Sequence, residues 1–405
     1  MPVKILFVDD DPNVLAGLRR LLYPLRQEWQ AAFAPGGREA LEVMDREPFD
    51  ILVTDMRMPV MDGAQLLEEV KKRHPEVVRI ILSGQSDKEM VMKSVRSAHQ
   101  YLTKPCDADT LKATIRRTLL LRDVLRDDAL LLLVGGMETL PSLPDLYLEI
   151  LEELSSETAS VRRVGEIISR DIGMTAKVLQ LVNSAFFGRP RHVSHPAYAV
   201  ELLGLETIRA LVLSIRIFSQ FDQSLIPGFS VSRLWKHSLR VGVWARDIAL
   251  LAQQPREIAD DAFLAGVLHD AGKLILAANF PKKYYQVLEI TVGLGIAGCE
   301  EEQRVFEVNH AQVGAYLFSL WGFSHPLVEA VAFHHEPGSA HPAGFAPLTA
   351  VHVANALEHQ LGSEEAAKSQ RVVDLAYLNL LGLAGELPAW QKKCRELLQR
   401  EREYE

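Results

Sequence analysis

The sequence predicts an α/β doubly wound domain at the N-terminus, followed by an all-α domain. In residues 1–123, short apolar runs alternate with amphipathic helical periods, which is typical of a parallel sheet covered by helices on both faces. After about Asp109, apolar residues recur at helical spacing and no convincing strand pattern follows. The change of pattern indicates an α/β domain and a separate helical domain.

The first element is the strand Val3–Val8, a largely apolar run that acidic residues follow. Asp11 is the expected N-cap of the first helix, with Pro12 at its first helical position. Further short strands are predicted at Ile51–Thr54, Arg79–Leu82 and Gln100–Leu102.

A leucine-rich segment connects the two domains. Its helical spacing predicts a long helix from about Asp109 to Val134, which Gly135 and Gly136 are expected to end. Two prolines within Met137–Leu146 mark the entry to the next domain. We therefore expect a first domain over residues 1–123, a helical linker over 124–136 and a helical domain over 137–405.

Composition excludes several classes of protein. The net charge of -9 argues against a broad basic surface, so DNA is not an expected partner. The three cysteines form no C-x-x-C pair, which favours a reducing compartment. No apolar run is long enough to cross a bilayer, and the N-terminal run is too short for a signal peptide. We expect a cytoplasmic protein with no membrane partner.

Acidic residues follow the predicted strands of the first domain. Asp9 and Asp10 come directly after the first strand, and Asp55 follows the next apolar run. Because ligands of an open parallel sheet bind outside the carboxyl ends of its strands, these carboxylates are expected to converge. Packed carboxylates repel one another, so the pocket favours a divalent cation, and oxygen ligands suit Mg²⁺. Asp55 is the candidate nucleophile for a phosphoryl group, whose oxygens Ser83 and Lys104 would hold.

This constellation resembles the receiver domain of two-component response regulators over about residues 1–123. The resemblance implies a flavodoxin-like fold in which Asp55 is the phosphoacceptor for a sensor histidine kinase. The matching segments are, in order, VDDDP (Val8–Pro12), TDMRMPVMDG (Thr54–Gly63), LSG (Leu82–Gly84) and YLTKP (Tyr101–Pro105).

The resemblance also implies the partners of the phosphoryl group. Ser83 and Tyr101 would form a switch pair, in which the hydroxyl follows the phosphate and the ring turns inward, and Lys104 would contact the phosphate. The implied Mg²⁺ ligands are Asp10, Asp55 and the carbonyl of Arg57, with Asp9 close by.

Three segments of the helical region together resemble the first half of HDOD domains, a family related to HD phosphohydrolases. They are LPSLPDL, ISRDIGMTAKVLQLVNSAFFG and AVELLGLETIRALVLS, between Leu140 and Ser214, and the resemblance covers about residue 137 to at least residue 360. Within it, GEIISRDIGMTAKVLQLV also has the local pattern of a helix-turn-helix. The supposed recognition helix carries one lysine and is otherwise apolar or neutral, so we expect it to be buried rather than to contact DNA.

Histidines in the second half of the helical region offer a candidate metal site. Neutral imidazoles and an adjacent carboxylate are common metal ligands. The resemblance to HD hydrolases implies a transition metal (Fe, Mn or Zn) and gives Lys273 a contact with substrate phosphate. The candidate ligands are His237 in LWKHSLRVG, His269 and Asp270 in HDAGK, His310 in VNHAQVG, and His334 and His335 in FHHEP. The last three match extra histidines of the HD-GYP branch, which hydrolyses cyclic di-GMP.

The sequence departs from the hydrolase pattern at two places. Asn355 stands where a metal-binding aspartate is expected, and Pro337-Gly338 follows Glu336 in place of the GYP triplet. These departures favour a phosphorylation-controlled interaction module that acts on an unknown downstream protein. The alternative is a phosphorylation-controlled metal phosphohydrolase, with a cyclic dinucleotide as substrate. In either case the linker helix would transmit a change in homodimerisation or docking, unless it serves only as a spacer.

Overall fold

A computed structural model describes most of the chain. The described residues are 2–83, 94, 97–104, 106, 108–119, 132–135, 137, 140–142, 144–156, 158–183, 193–209, 212, 219–220, 226–294, 298–340, 344–361 and 372–404. Among these residues, every helix is too short or too polar to span a bilayer.

The N-terminal domain contains a five-stranded parallel sheet with strand order β2-β1-β3-β4-β5. The order changes direction beside β1, so the carboxyl ends of β1 and β3 lie next to each other. The four predicted strands are confirmed, whereas β2 was not predicted because its sequence, WQAAFA, lacks a continuous apolar run. The strands are β1 Val3–Val8, β2 Trp29–Ala34, β3 Ile51–Asp55, β4 Val78–Ser83 and β5 Gln100–Thr103.

Helices cover both faces of this sheet, as the apolar strands require. Leu6 and Val8 of β1 belong to one buried cluster, and Ile5 and Phe7 belong to the other. The side chain of Asp11 accepts a hydrogen bond from the backbone N–H of Asn13, which confirms the predicted cap of the first helix. The helices are α1 Pro12–Leu22, α2 Gly37–Met44, α3 Gly63–Arg73 and α4 Ala108–Leu119.

The C-terminal domain is helical, as predicted, except for a short parallel pair formed by β6 (Pro141–Ser142) and β7 (Ser219–Gln220). Its helices are α5 Pro144–Ser155, α6 Val161–Ile168, α7 Ile172–Val182, α8 Pro196–Leu203, α9 Leu205–Arg209, α10 Val231–Leu251, α11 Arg256–Leu268, α12 Ala271–Asn279, α13 Pro281–Leu294, α14 Gly298–Phe306, α15 His310–Leu320, α16 His325–Phe333, α17 Pro347–Leu361, α18 Leu375–Leu380 and α19 Leu387–Tyr404.

The helix that has the local pattern of a recognition helix lies inside the protein. All 11 residues of α7 are buried, including Lys177, so the prediction of a buried helix is confirmed. The Lys177 ammonium lies 5.3 Å from the centre of the Trp321 ring. A helix covered on every side does not present side chains to a DNA groove.

Gly135, in the described part of the linker, contacts the N-terminal domain. Residues 132–135 are helical, and the rest of the predicted helix beyond Leu119 lies outside the described residues. The carbonyl of Gly135 accepts hydrogen bonds from Nη2 of Arg79 at 2.7 Å and from Nε2 of His99 at 2.8 Å. A Cβ atom at position 135 would lie 2.5 Å from the carbonyl oxygen of Pro75, so glycine is required for this close approach.

The two domains also touch directly at the start of β5. Nε2 of Gln100 donates to the carbonyl of Ser319 at 3.3 Å, and Nε2 of Gln180 donates to the carbonyl of His99 at 3.3 Å. Helix α4 packs against α15 beside these contacts. The N-terminal sheet is therefore joined to α7 and α15 of the helical domain through its edge strand.

His99 makes this junction sensitive to acid. Its Nδ1 accepts from the backbone N–H of Arg79, so its proton lies on Nε2 and points to Gly135. Burial, together with the neighbouring Arg79 cation, holds the pKa of His99 well below its ordinary value of 6.5. Below about pH 6.5, His99 binds a proton in the unfolded chain but not in the folded chain. The free energy of unfolding therefore decreases as the pH is lowered, by up to about 1.4 kcal/mol per pH unit.

We predict that His99→Gln flattens this acid slope, because glutamine can still donate to Gly135 but does not titrate. Urea unfolding between pH 7 and pH 5 measures the effect. His325→Gln, which replaces an exposed histidine outside this junction, is the matched control. Equal slopes in the His99→Gln variant and the unaltered protein would contradict the prediction.

Candidate functional site

The acidic pocket lies at the carboxyl edge of the sheet. Asp9 follows β1 and Asp55 ends β3, and both side chains are buried. Lys104 follows β5, and its Nζ lies 2.7 Å from Oδ2 of Asp9 and forms an ion pair with Oδ1 of Asp55. The structure thus brings together three of the predicted residues, so that one ammonium group contacts both carboxylates.

Backbone groups bind the remaining carboxylate oxygens. The N–H of Arg57 donates to Oδ2 of Asp55 at 2.9 Å, and the N–H of Asp11 donates to Oδ1 of Asp9 at 3.0 Å. Asp10 is exposed beside them. Oxygen donors of this kind fit Mg²⁺, which keeps several of its waters when it binds to protein carboxylates.

Within the described residues, the pocket has more carboxylates than cations. Burial raises the pKa of Asp55 above its ordinary value, although Lys104 acts in the opposite direction. Burial alone would lower the pKa of Lys104, but its hydrogen bonds with Asp55 and Asp9 raise it above the ordinary value. A second cation in the pocket would therefore stabilise the ionised form of Asp55.

The loop after Asp55 packs closely on the end of β3. The N–H of Gly63 donates to the carbonyl of Met56 at 2.9 Å, and a Cβ atom at Gly63 would lie 2.2 Å from the carbonyl oxygen of Asp55. In the loop between Met56 and Gly63, Val60 has a φ of 69°, which a β-branched residue rarely adopts. The MDG segment therefore holds Asp55 through backbone contacts that only glycine allows.

The predicted switch pair is described in part. Tyr101 is buried, and its hydroxyl lies 3.3 Å from Oγ of Ser94. Burial raises the pKa of Tyr101 above its ordinary value, so the phenol stays protonated. Ser83 ends β4 opposite Thr103, and its side chain lies outside the described part of the structure. The burial of Tyr101 is thus described, and its pairing with Ser83 as a switch stays a prediction.

A second cluster lies inside the helical domain, where four histidines have the same orientation. Each turns Nδ1 outward to an acceptor, so that Nε2 faces the centre of the cluster. This arrangement is typical of histidines that bind metal. The Nδ1 contacts are His237 with Glu358 at 2.7 Å, His269 with the Gly266 carbonyl at 2.7 Å, His310 with Glu302 at 2.5 Å and His334 with the Val331 carbonyl at 2.8 Å.

Asp270 lies at the centre of this cluster. Its Oδ2 is 3.5 Å from Nε2 of both His237 and His269. Its Oδ1 is 3.1 Å from Nε2 of His310 and 3.9 Å from Nε2 of His334. Nε2 of His335 lies 3.0 Å from Nε2 of His310. All six predicted ligands therefore come together.

The cluster divides into two groups that could each hold a metal ion. His237, His269 and Asp270 form one group, and His310, His334 and His335 form the other. Within each group the ligand atoms lie within 4.8 Å of one another. Since Asp270 has one carboxylate oxygen toward each group, it is positioned between them.

Close helix packing explains the glycine of HDAGK. His269 and Asp270 lie between α11 and α12, and His310 begins α15. A Cβ atom at Gly272 would lie 1.9 Å from the carbonyl oxygen of His310. Glycine at this position lets α12 and α15 approach, which brings His310 to Asp270.

The protonation states also fit a metal. Burial lowers the pKa of His269 to about 3 and holds the pKa of His334 well below its ordinary value. Burial alone would raise the pKa of Asp270, but His269 and Lys273 hold it well below its ordinary value. These two neutral imidazoles beside an ionised carboxylate have the forms that bind metal ions. Burial alone would lower the pKa of His310, but Glu302 raises it above its ordinary value, so a metal ion at His310 would compete with a proton. Lys273, predicted to contact phosphate, lies 2.6 Å from Oδ2 of Asp270.

Two buried glutamates were missed by the sequence analysis. Glu302 and Glu358 orient His310 and His237, and neither belongs to the quoted motifs. Oδ1 of Asp270, Oδ1 of Asn355 and Nε2 of His334 are among the buried side-chain atoms of the described residues that have no hydrogen-bond partner. Unpaired buried polar atoms are costly, so Asp270 and His334 fit a site that would hold a metal ion.

A surface cavity of about 410 Å³ opens beside the His310 group. His335 contributes to its wall, so this cavity connects the cluster with solvent. Charged and amide side chains form much of its wall, together with a few apolar ones. The lining residues are Cys299, Glu300, Gln303, Arg304, Asn309, Ala311, Gln312, Ala332, Phe333, His335 and Glu336.

Comparison with known proteins identifies both domains. The family profile of the response regulator receiver domain matches residues 5–116, and that of the HDOD domain matches residues 140–337. The solved structure of the MmoQ response regulator from Methylococcus capsulatus str. Bath aligns with 60% of this chain and 97% of that chain, at 23% identity and a TM-score of 0.45.

Curated relatives match parts of the chain. An uncharacterized protein of Treponema pallidum (strain Nichols) is 26% identical over 215 residues, which cover 52% of this chain and 40% of that protein. The transcriptional regulatory protein ZraR of Escherichia coli (strain K12) is 36% identical over 120 residues, which cover 29% of this chain and 26% of that protein. The chain spans less than half the length of these relatives. By its two matched domains, it belongs to the response regulators, with a receiver domain followed by an HDOD domain.

Proposed function

We propose that the protein is a phosphorelay response regulator in which phosphorylation of Asp55 controls an HDOD output domain that acts by binding a downstream protein. The observation that supports this proposal is the single ammonium of Lys104 between the buried carboxylates of Asp9 and Asp55. A sensor histidine kinase, the general partner of receiver domains, would supply the phosphoryl group in the cytoplasm. The working units would be residues 1–123, a linker over 124–136 and residues 137–405.

The chemistry follows from these contacts. A carboxylate oxygen of Asp55 attacks phosphorus as the nitrogen–phosphorus bond of a phosphohistidine breaks, and the electron pair of that bond stays on the imidazole nitrogen. The ammonium of Lys104 then balances charge on the phosphoryl oxygens. Mg²⁺, held by Asp10, Asp55 and the Arg57 carbonyl, would supply further positive charge to those oxygens.

Strand β5 connects this site with the output domain. Lys104 follows its carboxyl end, Tyr101 lies within it, and Gln100 at its start contacts Ser319 of α15. A shift of Lys104 toward a phosphoryl group would therefore act on a strand that already bears the domain contact. A phosphoryl switch acts by changing the balance between two arrangements of such a domain interface.

Hydrogen exchange tests this coupling. With acetyl phosphate and Mg²⁺, we expect faster exchange in residues 100–103, in α7 and in residues 132–135, because loosened domain contacts expose their amides. Inorganic phosphate with Mg²⁺ is the control and should change nothing. A protein that takes up phosphate while exchange in all three segments stays the same would refute the proposed coupling.

The histidine cluster supports a second candidate function, a metal-dependent phosphohydrolase. The specific observation is that four histidines direct Nε2 toward Asp270 while buried acceptors hold their Nδ1 atoms. Such residues would hold up to two ions of Fe, Mn or Zn, which would activate water for attack on a phosphate ester. The cavity beside His335 would admit the substrate, with a cyclic dinucleotide as the first to test.

Two features still favour the interaction module. Asn355 is neutral where the hydrolase pattern has an acid, and Pro337-Gly338 replaces the GYP triplet. A metal-bound cluster could serve either function, since a structural metal also stabilises a fold. Metal content therefore tests the site, and turnover of a cyclic dinucleotide with Mn²⁺ tests the enzyme.

A further inference from the structure

We propose that Glu358, held by Arg240 and Glu401, is a positioning residue that fixes the tautomer of His237 for metal binding. The inference rests on the proposed metal site and extends it to residues outside the matched HDOD region, 140–337, since Glu358 and Glu401 follow that region. It assigns the C-terminal helix α19 a role in holding that site.

The proposal is carried by a chain of charged contacts across three helices. Oε2 of Glu358 lies 2.7 Å from Nδ1 of His237, and its Oε1 accepts from Nη1 of Arg240 at 2.6 Å. Nε and Nη2 of Arg240 donate to the two carboxylate oxygens of Glu401, each at 2.9 Å. This relay therefore runs from Glu401 of α19 to Arg240 of α10, then to Glu358 of α17 and finally to His237.

Burial argues that the relay does more than pair surface charges. The side chain of Glu358 is 11% exposed and that of Arg240 is 16% exposed. Removing these two charges from water is costly, so the Glu358–Arg240 ion pair alone adds little to the free energy of unfolding. Glu302 makes the same contact with His310 on the opposite side of Asp270. The two glutamates thus orient one histidine of each metal-binding group.

Glu358 also compensates for the departure at position 355. Asn355 lies one turn earlier in α17, where its neutral amide cannot supply the negative charge of the expected aspartate. Glu358 does not replace it as a ligand, because its two oxygens face Nδ1 of His237 and Arg240. Its charge instead makes the imidazole a stronger donor through Nε2.

Replacing Glu358 with glutamine should reverse the tautomer of His237. Arg240 has only donors, so the amide oxygen of glutamine must face it. The amide NH₂ then faces Nδ1 of His237, which has to accept and leave its proton on Nε2. That proton occupies the position of the metal. We expect the affinity for Mn²⁺ or Zn²⁺ to fall by about 10–100-fold, the usual effect of losing such a partner.

A second substitution separates this account from general loosening. Adding Arg240→Leu to Glu358→Gln removes the demand for an acceptor, so the amide can turn its oxygen to His237 and restore the original tautomer. Glu358→Asp keeps a carboxylate and should lose less affinity than Glu358→Gln. Asp247→Asn is the matched control, because it breaks the 3.2 Å ion pair of Asp247 with Lys393 between the same two helices, α10 and α19, without touching Glu358.

Two readouts decide the proposal. Nitrogen NMR of the metal-free protein, labelled at histidine, reports the tautomer of His237, and calorimetric titration reports metal affinity. The proposal is supported if Glu358→Gln moves the proton to Nε2 and Arg240→Leu returns it. It is overturned if the tautomer of His237 is the same in all variants. If the tautomer responds but the unaltered protein binds no metal, the metal function fails while the positioning of His237 stands.

Discussion

Replacement of Asp55 by asparagine should reduce phosphoryl transfer to the chain to background. Asparagine has nearly the shape of aspartate, but its amide cannot attack phosphorus to form an acyl phosphate. The fold should tolerate the change, because burial raises the pKa of Asp55 and so already disfavours its ionised form. Lys104 keeps Asp9 as a partner. Transfer of labelled phosphate from a phosphohistidine donor in the presence of Mg²⁺ measures the effect.

Asp11→Asn is the matched control for this experiment. Asp11 is exposed and caps α1, a role that asparagine fills equally well. This variant should accept phosphate like the unaltered protein. Undiminished labelling of the Asp55→Asn variant would contradict the assignment of the phosphoacceptor and, with it, the proposed input of the regulator.

The parts of the receiver that could be predicted from sequence are those with a strong local pattern. β1, β3 and β4 are largely apolar, β5 (QYLT) has a short apolar centre, and the acids at the ends of β1 and β3 converge because parallel strands end at the same edge. β2 lies at the sheet edge, where an intermittent pattern of alanine and aromatic residues suffices. Its position depends on pairing with β1, which no local pattern reveals.

Contacts between distant residues account for what the sequence did not predict. Arg79 and Gly135 are far apart in the chain, and only the folded structure brings them together. Glu358 and Glu302 resemble any helical acid in sequence, and only folding brings them to His237 and His310. The six candidate metal ligands were predicted through their family pattern, whereas the position of Asp270 between two groups depends on three-dimensional packing.

Asp270→Asn should have the largest effect on the histidine cluster. Asp270 is fully buried, and one of its oxygens faces each metal-binding group. An amide in its place would remove the only negative charge predicted among the six ligands and turn an NH₂ toward one of the groups. We expect metal binding to weaken by more than the roughly 10–100-fold typical of a lost outer partner. Metal analysis after dialysis, and titration with Mn²⁺ or Zn²⁺, measure the change.

The folded state has to be checked separately, because Lys273 loses its partner at 2.6 Å in this variant. The double variant Asp270→Asn, Lys273→Met removes the unpaired ammonium and should fold at least as well as the single variant, yet still not bind metal. Glu257→Gln, an exposed change at the start of α11, is the control and should retain metal. If the double variant bound metal as tightly as the unaltered protein, Asp270 would not be a ligand, and the cluster would have to be a polar core in which neutral imidazoles satisfy one another.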